Sequence, residues 1–99
     1  MKTKIPKVVN IFGHEYKVRI VASSKLGAGQ AGVVQFPQRV ILIAKEMGHE
    51  IRWLTFLHEL NHARQFEMGL TQVFGSQLAE TDCEQFASLI SSLQKQGVL

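Results

Sequence analysis

His58-Glu59-Leu60-Asn61-His62 is an HExxH motif, and it restricts the fold more than any other stretch of the chain. Two histidines four residues apart lie on one face of an α-helix, because about 3.6 residues make a turn, and their imidazoles can there grip one metal ion. Glu59 then stands about 100° round the helix from His58, within reach of whatever the imidazoles hold. A further glutamate, Glu80, follows eighteen residues after His62. Two histidines, one carboxylate and an open fourth position are the donor set of a catalytic zinc site rather than a closed structural one.

The surrounding residues fit a helix. Between Ile51 and Phe66, Trp53, Phe56, Leu57, Leu60 and Ala63 fall on one arc and His58 and His62 on the other. Gly69 offers a C-terminal stop. A second helix is expected with an N-cap at Gly75-Ser76, before Gln77, running to about Lys95. On it Glu80, Glu84, Ala87 and Ser91 share one face, and Leu78, Phe86, Leu89, Ile90 and Leu93 form the apolar side. A turn between Gly69 and Ser76 lets the second helix fold back, so that Glu80 meets His58 and His62. Glu84 and Asp82 are alternatives for the third ligand; Asp82 ranks last because it projects toward the apolar arc. Glu84, one turn beyond Glu80, is expected to accept a hydrogen bond from the outer nitrogen of a ligand histidine, which fixes the ring's tautomer and aim. Cys83 reads as a small buried residue.

The first half of the chain reads as strands. Val8 to Val21 looks like a hairpin turning at Gly13-His14, and Gly32–Phe36 with Arg39–Ala44 forms a second extended pair around Pro37-Gln38. Val40-Ile41-Leu42-Ile43 is the most apolar strand and belongs at the centre of the sheet or against the histidine-bearing helix. Gly27, Gly29 and Gly32 have G-x-G-x-x-G spacing, but Val33, Val34 and Phe36 follow as strand, whereas a dinucleotide fingerprint opens a helix. The expected class is α+β: a small twisted antiparallel sheet packed by the HExxH helix and a second, C-terminal helix.

Charge is unevenly spread. Residues 1–45 hold eight Lys/Arg and one acid, net +7, whereas residues 46–99 hold three Lys/Arg and seven acids, net −4. The acids therefore gather round the motif, which suits a cation. The basic half reads as a solvated sheet face; no nucleic-acid motif accompanies it, so nucleic acid is the weaker reading. One cysteine excludes an intrachain disulfide and fits a reducing compartment. The charged start at Met1-Lys2-Thr3-Lys4 has no apolar run behind it, so neither a signal peptide nor a membrane span is expected. A cytoplasmic protein is the default.

His58, Glu59, His62 and Glu80 stand where a gluzincin carries its two histidine ligands, its general base and its glutamate ligand. The stretch from Glu80 through Phe86-Ala87 to Ile90 resembles the corresponding segment of ImmA/IrrE-type metallopeptidases of bacteria, mobile elements and phages. Gln65 and Met68 stand where the metzincin extension would need Gly and His. The resemblance implies one zincin-like domain over 1–99, with 1–45 mainly β, an active-site helix over 49–68 and a glutamate-bearing helix over 76–95. It implies a Zn2+ cofactor and hydrolysis of a peptide bond in a protein or peptide substrate, a repressor in some relatives, with Glu59 activating the zinc-bound water. The substrate would pair with an exposed sheet edge, such as Gly32–Phe36. Tyr16, His14, His49 and Arg64 are candidates for a second electrophile on the carbonyl oxygen. The alternative function is a non-catalytic zinc-binding regulatory or interaction protein. The oligomeric state is not encoded in these features.

Overall fold

In the computed structural model the described residues are 4–99; Met1-Lys2-Thr3 of the charged start lie outside them. Strand β1 (Val8–Ile11) turns into β2 (His14–Val21) through Phe12 and Gly13, at φ 51° and 88°. Positive φ at both central positions gives the hairpin turn whose twist matches that of the strands it joins. Asn10 Oδ1 accepts the Gly13 N–H at 2.8 Å and closes it. The turn falls one residue earlier than the Gly13-His14 expected from sequence, because His14 already pairs with Ile11. Along β2, Tyr16 and Val18 face inward and Lys17 and Arg19 outward.

A short 3-10 turn (Ser23–Lys25) and the glycine loop lead to β3 (Gly32–Gln35), which pairs antiparallel with β4 (Val40–Ala44). The strand order is β1-β2-β4-β3, and β2 and β4 run parallel, with Val18 beside Ile41. The sheet is therefore mixed, not antiparallel throughout as expected. Its arrangement follows from where apolar surface must go. Ile41 and Ile43 are wholly buried, so β4 takes a central place with a strand on each side. The chain crosses to the far edge as β3 and returns between β3 and β2; a parallel neighbour requires such a crossover.

Helix α1 (His49–Glu67) lies across the sheet, and α2 (Ser76–Lys95) packs chiefly on α1. Phe56, Leu57 and Ala63 of α1 join Ile11, Tyr16, Val18, Ile41 and Ile43 in one core. Because α1 is covered on both sides, its buried set also includes Glu59, Asn61 and Gln65. At its end Gly69 adopts φ 72°, and the N–H groups of Gly69 and Leu70 return to the carbonyls of Phe66 and Gln65 at 3.1 and 2.8 Å. That left-handed cap stops the helix and reverses the chain toward α2. Gly75 occupies the N-cap of α2 without a side-chain hydrogen bond, and Ser76 is its first helical residue.

A buried carboxylate ties α1 to the sheet. Glu67 accepts from the Tyr16 hydroxyl, from Arg39 Nε at 2.7 Å and Nη2 at 3.2 Å, and lies 3.4 Å from His14 Nε2. An acid in the last turn opposes the helix dipole, and the Arg39 guanidinium more than offsets this: it holds the Glu67 carboxyl down at about 2, with help from Tyr16. No helix among the described residues is long and apolar enough to cross a membrane.

Candidate metal centre

The imidazoles of His58 and His62 lie side by side on α1, ring centroids 5.0 Å apart. The fold-back at Gly69–Gly75 carries α2 across them. Glu80 then meets both rings: its Oε2 is 2.9 Å from His58 Nε2 and its Oε1 is 2.8 Å from His62 Nε2. Glu84, one turn along, lies 3.0 Å from the other nitrogen of His58, Nδ1. His58, His62, Glu80 and Glu84 thus converge, and Glu59 is buried beside them.

Both Nε2 atoms face the same carboxylate, one at each of its oxygens. Tetrahedral zinc with bonds of about 2.0–2.1 Å sets neighbouring donor atoms about 3.3 Å apart. The 2.8 and 2.9 Å separations need only a small outward shift to match. Glu80 is more than half exposed, which leaves that shift free. The donor set fits zinc. The groups whose donor atoms all lie within 4.8 Å of one another are His58, Glu80 and Glu84, and His58, His62 and Cys83; Glu80 reaches the two histidines through different oxygens. Cys83 lies in the helix interface, where burial pushes its thiol up to about 12 and Asn61 Nδ2 donates to its sulfur at 3.5 Å.

Glu59 is only 8% exposed. Burial raises its carboxyl above the ordinary range, against the pull of His58 and His62 and of the Val34 backbone N–H. A carboxyl so placed is suited to exchanging protons. Two open hollows meet at it. One, of about 440 Å3, lies toward Leu54, Thr55, Ala87 and Ser88. The other, of about 270 Å3, lies toward Val34, Phe36, His62 and Thr71. Gln30, Gly32, Glu59 and Glu80 line both.

Strand β3 forms one rim. Ala44 N–H donates to the Ala31 carbonyl at 2.9 Å, and Val33 pairs with Leu42. The alternate residues, Gly32 and Val34, therefore turn their backbone groups to the open edge. Gly32 begins a strand and not a helix, so the glycine loop has no dinucleotide geometry.

None of the four candidate electrophiles lines either hollow. Tyr16 and His14 meet Glu67 at the far end of α1, Arg64 bonds Asn61 and Asp82, and His49 is the first residue of α1. Asp82 points away from Glu80, but toward polar rather than apolar neighbours. Its Oδ2 accepts from Asn61 Nδ2 at 2.8 Å, Gln65 Nε2 at 2.9 Å and Arg64 Nη2 at 2.9 Å. Gln65 and Asn61 first appear here as parts of the site's support. Gln65 sits three residues after His62, a spacing that puts two helical side chains in contact. No family model, curated protein or solved structure matches this chain.

Proposed function

We propose that the chain is a zinc-dependent metallopeptidase of zincin layout, similar to the ImmA/IrrE type, that hydrolyses a peptide bond in a protein substrate. The observation that carries this reading is the Glu80 carboxylate lying between the Nε2 atoms of His58 and His62, with Glu59 buried alongside. His58, His62 and Glu80 would hold the metal. When bound, zinc supplies Lewis acidity, lowering the pKa of a water to about 7 and polarising a carbonyl.

The chain's own groups do the rest. Glu59, beside both hollows, takes a proton from the attacking water and returns it to the leaving amine. Its burial keeps bulk water from competing for that proton. The outward backbone groups of Gly32 and the Val34 carbonyl offer an extended substrate a strand to pair with, next to Glu59, to which the Val34 N–H is turned. Such pairing reads the main chain and leaves side-chain selection to the two hollows.

The experiment is to incubate the zinc-loaded protein with a peptide library and read cleavage by mass spectrometry. Wild type cleaves, and Glu59→Gln keeps its zinc and does not. Cleavage by Glu59→Gln at the wild-type rate rules the mechanism out.

A further inference from the structure

Between α1 and α2 lies a polar network that the proposed chemistry does not use directly. Gln65 is wholly buried and Asn61 nearly so. Both hydrogens of the Gln65 amide have acceptors: Nε2 donates to the Ala79 carbonyl at 3.1 Å and to Asp82 Oδ2 at 2.9 Å. The orientation of the amide is thereby settled. Its oxygen is left facing His62 Nδ1 at 3.2 Å. A carbonyl oxygen only accepts, so His62 Nδ1 carries the hydrogen and donates it. His62 Nε2 lies 2.8 Å from the Glu80 carboxylate, which also only accepts, so without a metal Nε2 carries a hydrogen as well; a bound metal would displace that one and take the Nε2 lone pair, while Nδ1–H stays on Gln65.

Asp82 is what holds Gln65 in this pose. Three donors, from Asn61, Arg64 and Gln65, converge on its single oxygen Oδ2, and Arg64 Nε also donates to Asn61 Oδ1 at 2.6 Å.

We propose that Gln65, anchored by Asp82, is the positioning residue for His62: it imposes the Nδ1–H tautomer and aims Nε2 at the metal. This rests on the zinc reading and deepens it by making the two ligand histidines unequal. His58 is backed by Glu84, whose side chain is 73% exposed, so water can replace it. His62 is backed by a buried amide in a place closed to solvent.

The test measures zinc affinity by chelator competition and the visible spectrum of the Co2+-loaded protein, each on variants whose fold is checked by circular dichroism. Gln65→Met should bind zinc about 10–100-fold more weakly and alter the Co2+ spectrum, whereas Glu84→Gln should cost less than about threefold, because water can take over its hydrogen bond. In zinc-loaded wild type, 15N NMR should show a His62 Nδ1–H that exchanges with water far more slowly than that of His58.

Wild-type affinity in a folded Gln65→Met, or equal exchange at the two histidines, overturns the inference alone. Wild type that binds no zinc withdraws the zinc reading and the inference together.

Discussion

Gly32 lies against Thr55 with no room for a side chain between them. A Cβ on Gly32 would stand 3.4 Å from Glu59 Cγ, 3.0 Å from the Leu42 carbonyl oxygen and 2.6 Å from Thr55 Cγ2. The edge strand can therefore approach α1 closely enough to bring its open backbone groups beside the buried carboxylate. Gly32→Ala should cost about 1–3 kcal/mol of stability, the usual range for overpacking. If zinc is bound as proposed, the variant should lose cleavage while keeping its metal, since the strand is pushed off α1, away from Glu59, and the ligands on α1 and α2 stay where they are. Denaturant unfolding and zinc titration check the two halves of this.

Glu67 makes stability fall in acid. Its folded value, about 2, lies below the ordinary 4.5. A depressed carboxyl stabilises the fold above the unfolded value and loses that contribution as pH falls toward the folded one. The loss should therefore develop between about pH 4.5 and 2, and Glu67→Gln should remove most of it. At neutral pH Glu67→Gln should cost about 2–3 kcal/mol, because Arg39 and Tyr16 lose a charged acceptor. Thermal unfolding followed by circular dichroism from pH 7 to 2, on both proteins, measures this.

The helical half of the chain was more legible than the sheet. Residues of α1 carry their own register: the histidines, Phe56, Leu57 and Ala63 repeat at helical spacing, and Gly69 marks the end. Strand order is written in no such local pattern. That Val18 runs parallel beside Ile41 depends on the chain crossing to a far edge and returning, and each strand reads the same in a mixed or an antiparallel sheet. The convergence of His58, His62, Glu80 and Glu84 followed from two helical repeats and one turn.

What the sequence hid was the polar support. Glu67 looks like any surface acid at a helix end until Tyr16 and Arg39, 51 and 28 residues away, are folded onto it. Asp82 was placed correctly in direction but not in company. A helical wheel drawn for α2 alone does not show that the facing side of α1 bears Asn61, Arg64 and Gln65. The candidate electrophiles lie away from the two hollows for a related reason. Tyr16 and His14 are close to α1, but to its last turn, about two turns beyond His58.

Burying Glu59 as a charge is costly unless something pairs with it. In metal-free protein at neutral pH, Glu59→Gln should unfold at a higher denaturant concentration than wild type, by about 1 kcal/mol, the pattern of a group kept for activity at the expense of stability. An unchanged or lower midpoint would mean that the carboxylate is adequately satisfied where it sits.

Zinc should also stabilise the fold. A ligand that binds only the folded chain adds about 2.7 kcal/mol at a hundredfold excess over its dissociation constant. Differential scanning fluorimetry should show the melting temperature of wild type rising with zinc and that of His62→Ala staying flat.

Metal content by native mass spectrometry, on metal-replete wild type and on Glu80→Ala, tests the central claim most directly. The account predicts one zinc per wild-type chain, lost or much weakened in Glu80→Ala. Wild type without zinc, or a Glu80→Ala variant that holds it as tightly, would contradict it.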